Sequence, residues 1–323
     1  MNILLVYPCN PDSFWSFKHV LRFVSKKSSF PPLGLLTVAA MLPESWSLKL
    51  IDVNVEPLED RDVVWADYVF LSGMIVHRDS AHEIALRCSA LGKTVIAGGP
   101  LFTTGHTGFP EIRCFVLGEA EEVASRLIED IEHGTLQAYY QSPNWPDIRT
   151  SPIPRWDLVE TKNYVTMPIQ FSRGCPFDCE FCDIVIMNGR IPRTKNPEQM
   201  IRELDALYQH GWKDMVFIVD DNFIGNRKRV RELLGELIAW RQRTHSSIGF
   251  LTEASVNLAD DSETCSLMGK AGFKKVFVGI ETPSMEGLAE CNKRQNTKHD
   301  LGDAIRTIQR AGMEVMGGFI IGF

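Results

Sequence analysis

The repeated alternation of short apolar runs with longer amphipathic segments is the feature that most restricts how this sequence can fold. Near-continuous apolar runs predict strands that are buried on both faces, as in a parallel sheet covered by helices. The predicted strands of the first part are 2–7, 48–55, 68–76, 94–97 and 115–117, and the predicted helices are 33–42, 80–91 and 119–132. This order predicts an α/β domain with a doubly wound parallel sheet over residues 1–140.

A proline-rich segment follows this first alternation. Pro143, Pro146, Pro152 and Pro154 remove backbone donors and disfavour helix. The tryptophans among them need a surface on which to pack. We therefore expect residues 141–164 to be an ordered linker between two domains.

A second alternation over residues 165–323 predicts part of a (β/α) barrel. Its predicted strands are 168–172, 215–219, 249–252, 275–280 and 314–321, and its predicted helices are 197–210, 227–243, 262–271 and 297–311. The last predicted strand has no helix after it, and a bare barrel edge favours aggregation. We therefore expect the sequence to be a fragment of a longer barrel, truncated at its C-terminal end.

Composition excludes several classes of function. The net charge of −7 gives no basic field, so we expect no nucleic-acid partner. No apolar run approaches the roughly 18 residues of a membrane span, and no basic leader precedes the first strand. Five of the eight cysteines are scattered, which is typical of a reducing compartment. We therefore expect a cytoplasmic protein without a transmembrane segment.

The other three cysteines form a cluster directly after the first predicted barrel strand. Cys175, Cys179 and Cys182 are spaced Cys-x3-Cys-x2-Cys. Three thiolates in one loop can bind three corners of a [4Fe–4S] cluster and leave one iron open to a substrate.

Two other interpretations of this loop remain open. The first is a zinc site that takes a fourth ligand from Asp178, Asp183 or His210, although the paired ligand spacing of zinc sites is absent. The second is a set of three free thiols, which would leave reactive cysteines in one exposed loop.

The cysteine spacing, with Phe181 before the last cysteine, resembles the signature of the radical S-adenosylmethionine (SAM) enzymes. The resemblance implies a [4Fe–4S] cluster whose open iron binds the amino and carboxylate groups of SAM. It further implies that the reduced cluster cleaves SAM, and that a 5′-deoxyadenosyl radical then removes hydrogen from the substrate. An external electron donor such as flavodoxin or ferredoxin is implied as a partner, and Phe181 is implied to contact the cofactor.

The resemblance also implies cofactor contacts at the ends of the later barrel strands, where barrel active sites lie. The implied residues are Asp220, Asp221 and Asn222 for the SAM ammonium, Glu253, Ser255 and Glu281 for the ribose or the substrate, and Gly317 and Gly318 beside adenine. The alternatives are a solvated loop or helix cap for the first three, and structural hydrogen bonds for the next three.

A doubly wound domain before such a barrel resembles the cobalamin-binding class of this superfamily, which implies cobalamin as a further cofactor. The turns at the carboxyl ends of its strands would approach the corrinoid. They contain Ser72, Gly73, Gly98, Gly99, Pro100, Gly118 and Glu119. Ordinary turn chemistry is the alternative.

The Asp-x-His-x-x-Gly motif, which supplies a lower cobalt ligand in other cobalamin proteins, is absent after the first predicted strand, since residues 8–12 read Pro-Cys-Asn-Pro-Asp. Cobalamin would then lack a histidine lower ligand, and a domain that has lost cobalamin would look the same.

Four segments, 31–36, 98–103, 172–177 and 220–226, resemble the subfamily that includes the hopanoid C-2 methylase. This implies a cobalamin-dependent methyltransferase that acts on an unactivated carbon of a small molecule or a hopanoid-like lipid. The alternatives are a radical SAM rearrangement or cyclisation without methyl transfer, and a non-catalytic iron–sulfur protein. The amphipathic stretch 14–27 predicts either peripheral contact with a membrane or a helix packed on the sheet.

Overall fold

The strands form two separate parallel sheets, one in each half of the chain. The computed structural model describes residues 1–13, 16–298 and 300–322. The polypeptide divides into two units, Met1–Val165 and Thr166–Phe323. Both units confirm the α/β fold class predicted from the sequence.

The first sheet has six parallel strands in the order β2-β1-β3-β4-β5-β6. Because β1 lies between β2 and β3, the winding of the chain reverses beside β1, as expected for a doubly wound sheet. The strands are β1 (Asn2–Tyr7), β2 (Ser47–Asp52), β3 (Tyr68–Ser72), β4 (Thr94–Gly98), β5 (Cys114–Leu117) and β6 (Tyr139–Gln141).

Burial on both faces explains why these strands read as apolar runs. Residues 3–6 of β1 are all fully buried, although their side chains point alternately to opposite faces. On one face, Leu4 and Val6 join a core cluster that includes Ala81 and Ala85. Helices therefore cover the sheet, and the turns that follow the strands lie at its carboxyl edge.

Two of the three predicted helices of the first unit, 33–42 and 119–132, are shorter in the structure, and 80–91 corresponds to a helix of similar length. The helices of this unit are α1 (Lys18–Leu21), α2 (Leu33–Ala39), α3 (Asp60–Trp65), α4 (Arg78–Ala90), α5 (Pro100–Gly105) and α6 (Ala124–His133). The predicted helix 119–132 starts later because residues 121–123 form a turn. In the described part of the amphipathic stretch 14–27, the structure has α1 and a 3₁₀ turn at Arg22–Val24. Phe14 and Trp15 of that stretch lie outside the described residues.

The proline-rich segment, predicted as a linker between two domains, is part of the first unit. Trp156 is only 3% exposed, and the Arg155 amide donates to the Leu36 carbonyl at 3.1 Å. The Tyr164 hydroxyl hydrogen-bonds to Asp52 at 3.2 Å. These contacts hold the end of the segment around Trp156 and Tyr164, whereas Trp145 is 51% exposed.

The second sheet has five parallel strands in the order β13-β12-β11-β10-β7, and β8 and β9 form a separate antiparallel ribbon. The strands are β7 (Met167–Ile169), β8 (Ser172–Arg173), β9 (Arg193–Thr194), β10 (Val216–Ile218), β11 (Phe250–Ala254), β12 (Phe273–Glu281) and β13 (Glu314–Phe319). The order of the five sheet strands follows the chain, which is the winding of a (β/α) barrel.

The helices of the second unit follow the predicted pattern, with two short additions. They are α7 (Ile184–Asn188), α8 (Pro197–Gln209), α9 (Arg227–Thr244), α10 (Ser262–Ala271), α11 (Met285–Glu290) and α12 (Leu301–Arg310). The predicted helix 297–311 includes His299, which lies outside the described residues. In the part of the chain that is described, no helix combines the length and the apolar character needed to cross a bilayer.

Candidate functional site

The three clustered cysteines lie in a loop that the β8–β9 ribbon closes at its base. We call residues 174–192 the cysteine loop. Gly174 opens it with φ +99°, and a Cβ at this position would lie 2.9 Å from the Gly189 carbonyl oxygen. The Cys175 amide donates to the same carbonyl at 3.2 Å, so the two ends of the loop are joined. Glycine is therefore required where the loop crosses itself.

The three thiols are half-buried and carry no disulfide. Burial raises the pKa of the Cys175 thiol, and proximity to Cys182 and Cys179 raises it further. Burial also raises the pKa of Cys182, which the Lys293 charge partly opposes. Such thiols must lose protons when they bind a metal, which couples metal binding to pH.

The carboxyl end of β10 ties the cysteine loop to the sheet. Asp221 Oδ2 accepts hydrogen bonds from the Gly174 amide at 3.1 Å and from Asn188 Nδ2 at 3.2 Å. Asn222 Nδ2 lies 4.0 Å from Cys175 Sγ. These two residues therefore position the loop that carries the thiols.

Asp220 is buried, and both of its carboxylate oxygens accept hydrogen bonds within the protein. Oδ1 accepts from the Phe171 amide at 2.7 Å, and Oδ2 accepts from the Ser172 hydroxyl at 2.6 Å. Burial raises the pKa of Asp220 to about 7, against the lowering effect of these hydrogen bonds. Asp220 therefore fixes the chain between β7 and β8, just before the cysteine loop, and its contact with SAM stays a prediction.

The end of β11 contributes the next two predicted residues. The Ser255 amide donates to Asn222 Oδ1 at 3.2 Å, which links the ends of two neighbouring strands. Burial raises the pKa of Glu253 to about 7, and the charges of Asp221 and Asp220 add to the rise. Three carboxyl groups thus act on one another at this edge of the second sheet.

We expect the raised pKa of Glu253 to make the cluster-free protein lose stability as the pH rises from about 4 to about 7. Within that window folded Glu253 holds a proton that the unfolded chain releases, so unfolding becomes more favourable with rising pH. In urea titrations at about pH 5 and pH 8, Glu253→Gln should reduce the difference in unfolding free energy by on the order of 2 kcal/mol. The exposed Glu236→Gln is the control, and an unchanged difference in Glu253→Gln would contradict the expectation.

The ends of β12 and β13 hold the remaining predicted residues of the second unit. Glu281 has φ +64° and forms an ion pair with Lys293, with Oε1 2.5 Å from Nζ. A Cβ at Gly317 would lie 2.9 Å from Ile280 Cδ1, and one at Gly318 would lie 2.6 Å from the Phe277 ring. Both glycines therefore lie close to side chains of β12, and their contact with adenine stays a prediction.

The predicted turns of the first unit meet at the carboxyl edge of its sheet. Gly99 has φ +88°, and a Cβ there would lie 2.6 Å from the Ser72 hydroxyl and 3.4 Å from the Gly73 carbonyl oxygen. The Leu101 amide, in the helix that Pro100 begins, donates to that same carbonyl at 3.0 Å. The two turns are thus packed on each other.

The third turn of this edge has more space around it. Gly118 has φ +82°, no described atom lies within 4 Å of a Cβ built on it, and its amide donates to the Thr103 hydroxyl at 3.0 Å. Gly98 is the last residue of β4, and a Cβ built on it would lie 3.3 Å from the Val116 carbonyl oxygen. The backbone at Gly118 is therefore open, whereas the other two turns are filled by their own contacts.

A model of the Radical SAM superfamily matches residues 169–323. This part of the chain is a radical SAM domain. The match includes the cysteine loop and the ends of all five strands of the second sheet. The family predicted from the cysteine spacing is therefore confirmed.

Two curated relatives extend the similarity over the whole chain. It is 46% identical over 325 residues to the uncharacterized methyltransferase sll1242 of Synechocystis sp., covering 100% of this chain and 61% of the relative. It is 38% identical over 325 residues to the hopanoid C-2 methylase of Rhodopseudomonas palustris, covering 99% of this chain and 62% of that protein. The chain thus spans about three fifths of the length of these relatives.

A solved structure supports the fold of both units. The cobalamin-dependent S-adenosylmethionine radical enzyme OxsB, solved with aqua-cobalamin and S-adenosylmethionine bound, matches with a TM-score of 0.77. The sequence identity is 18%, and the match covers 99% of this chain and 49% of OxsB. At this identity the match establishes the fold, which is the arrangement predicted from the two alternations.

The chemistry of the cysteine loop fits the cluster that a radical SAM domain implies. Across the three described stretches of the chain, no three His, Cys, Asp or Glu side chains are arranged around a single metal ion. A [4Fe–4S] cluster instead takes its cysteine ligands on separate irons. Three half-buried thiols in one loop are the soft donors that iron–sulfur clusters require.

Sequence reasoning missed the residues that hold this loop from outside it. Gln295 Nε2 lies 3.5 Å from Cys179 Sγ, and Lys293 Nζ lies 5.6 Å from the centre of the Phe181 ring. The available signal was the unbroken polar run at residues 292–296 after α11. No local spacing connects that run with a loop more than a hundred residues earlier.

Proposed function

We propose that this protein is a cobalamin-dependent radical SAM methyltransferase that acts on an unactivated carbon. The observation that carries the proposal is the loop with Cys175, Cys179 and Cys182, held against the β10 end of a radical SAM domain by Asp221 and Asn222. Three protein thiolates leave one iron of a [4Fe–4S] cluster without a protein ligand. An open iron of that kind suits a bound SAM molecule better than simple electron transfer.

The residues of the second unit divide between holding the cluster and holding SAM. The three cysteines would bind iron, and Phe181 lies on the same loop. Asp221 would face the SAM ammonium with Glu253 beside it, since the Asp221 charge raises the pKa of Glu253 and a neighbouring cation would offset that repulsion. When bound, the cluster supplies the electron that cleaves SAM, and cobalamin supplies a carrier for the methyl group.

The first unit is the proposed site of cobalamin. Ligands of doubly wound sheets bind beyond the carboxyl ends of the strands. Here that edge carries three glycine-containing turns, of which the one at Gly118 has no described atom within 4 Å of a Cβ built on it. The fold match to an enzyme solved with aqua-cobalamin supports cobalamin as a ligand of such a chain.

A hopanoid-like lipid is the proposed substrate class, supported by 38% identity to a hopanoid C-2 methylase. The reaction also requires a reductant, and we propose a small electron-transfer protein such as flavodoxin or ferredoxin. Substrate access would come from the bulk phase or from peripheral contact with a membrane.

Isotope transfer tests the proposed function directly. The reduced, reconstituted chain is incubated with cobalamin, SAM labelled in its methyl group, and a hopanoid lipid, with Asp221→Asn as a comparison variant. We expect labelled methyl groups in the lipid, together with 5′-deoxyadenosine. Release of 5′-deoxyadenosine without any labelled lipid would contradict methyl transfer and favour a rearrangement or cyclisation. Absence of SAM cleavage would favour a non-catalytic iron–sulfur protein.

A further inference from the structure

Residues 291–296 bridge the end of β12 and the cysteine loop, and we call this segment the brace. On the side of the loop, the Glu180 amide donates to the Cys291 carbonyl at 3.0 Å, and Asn292 Nδ2 donates to the Asp178 carbonyl at 2.7 Å. Gln295 Nε2 donates to Cys179 Sγ at 3.5 Å. The brace therefore contacts the backbone and one thiol of the loop.

On its other side the brace is fixed to β12. Asn296 Nδ2 donates to the Gly279 and Ile280 carbonyls at 3.0 and 3.1 Å. The Lys293 ammonium and the Glu281 carboxylate, 10% and 9% exposed, form an ion pair at 2.5 Å. A Cβ at Gly279 would lie 2.5 Å from Glu281 Oε1 and 2.7 Å from Lys293 Nζ. The strand therefore needs glycine at the one position that leaves room for this pair.

The ion pair brings one of its two charges, the Lys293 ammonium, to the cysteine loop, with the Glu281 carboxylate directly behind it. Lys293 Nζ lies 5.6 Å from the centre of the Phe181 ring, on the residue just before Cys182. Charges in a partly buried region are screened less than charges in water, so each acts on a neighbouring redox centre. A cation stabilises the reduced, more negative form of a cluster, and an anion stabilises the oxidised form. Hydrogen bonds to cluster sulfurs also tune the reduction potential.

We propose that Lys293 and Gln295 are positioning residues of the iron–sulfur cluster, and that the Lys293–Glu281 pair balances the charge that sets its reduction potential. This inference rests on the proposed function, because it requires a cluster on the three cysteines. The brace would then help to set how readily the cluster accepts an electron.

The proposal predicts shifts of opposite sign for the two halves of one ion pair. Glu281→Gln keeps the cation and removes the anion, so the midpoint potential should rise. Lys293→Gln removes the cation, so the potential should fall, and Lys293→Arg should restore it towards the wild-type value. Gln295→Leu removes the hydrogen bond to Cys179 and should lower the potential as well. A purely structural ion pair would give both halves the same loss of cluster and no signed shift.

Redox titration of the anaerobically reconstituted chain, followed by electron paramagnetic resonance, measures these potentials. The exposed Arg294→Gln removes a charge from the same segment and should shift the potential less than Lys293→Gln does. If Lys293→Gln cannot be loaded with iron, the test uses the other two variants: the midpoint potential should rise in Glu281→Gln and fall in Gln295→Leu. Shifts of the same sign, or no shift, in a loaded wild type would overturn the proposal alone. A wild type that binds no cluster would overturn this proposal and the proposed function together.

Discussion

Replacing Cys179 by alanine is expected to abolish the iron–sulfur centre. Cys179 is the middle thiol of the loop and accepts the hydrogen bond from Gln295. With one of three thiolates missing, a second iron of the cluster has no protein ligand, and the cluster should not survive reconstitution. Iron content should fall from about four atoms per chain to near zero, and SAM cleavage should disappear with it.

The measurement pairs iron and sulfide analysis with the visible absorption of anaerobically reconstituted protein. Cys9→Ala is the matched control, since Cys9 is also a half-buried thiol but lies in the first unit. It should keep the full iron content. Far-ultraviolet circular dichroism should be unchanged in both variants, because the loop contributes little regular structure. Full iron content in Cys179→Ala would contradict the assignment of the three cysteines as the cluster ligands.

The buried strands of this fold were predictable because their signal is local. β1 is an unbroken apolar run, and all four of its central residues are fully buried. The α8 boundaries follow from Asn196 and Pro197 at the start and Gly211 just beyond the end. In contrast, β8 and β9 have two residues each, which is too short for any periodicity. Their pairing depends on a long-range return of the chain that no local pattern encodes.

The residues of the site also differ in whether their signal is local. The cysteines were predicted from their spacing, and Asp221 and Asn222 from their position after a strand. The hydrogen-bond partners of each strand-end carboxylate were not predictable. Asp220 and Asp221 are adjacent in sequence, but Asp220 binds the Phe171 amide and Asp221 binds the Gly174 amide. Lys293 reaches the site through an ion pair and a ring contact with residues from two other segments. Such contacts become visible only after the chain has folded.

Replacing Lys195 by methionine is expected to destabilise the second unit more than any exposed charge change. Lys195 Nζ lies 2.6 Å from Glu203 Oε1, and the two side chains are 6% and 0% exposed. The Lys195 amide also donates to the Phe171 carbonyl at 2.8 Å, at the base of the cysteine loop. Removing one partner of a buried ion pair leaves the other charge unpaired, which costs about 3–5 kcal/mol. Urea titration of the cluster-free protein measures this loss.

The pH dependence and a double variant separate the buried charge from a general packing defect. Burial raises the pKa of Glu203, and the Lys195 charge opposes that rise. Without Lys195 the carboxyl should take up a proton, so the defect should be smaller at about pH 5 than at pH 8. Lys195→Met combined with Glu203→Leu removes both charges and should regain most of the lost stability. Arg306→Met, which breaks an exposed pair with Asp303, should cost far less stability than Lys195→Met. A double variant no more stable than Lys195→Met would mean that the loss comes from packing, because no unpaired charge then remains.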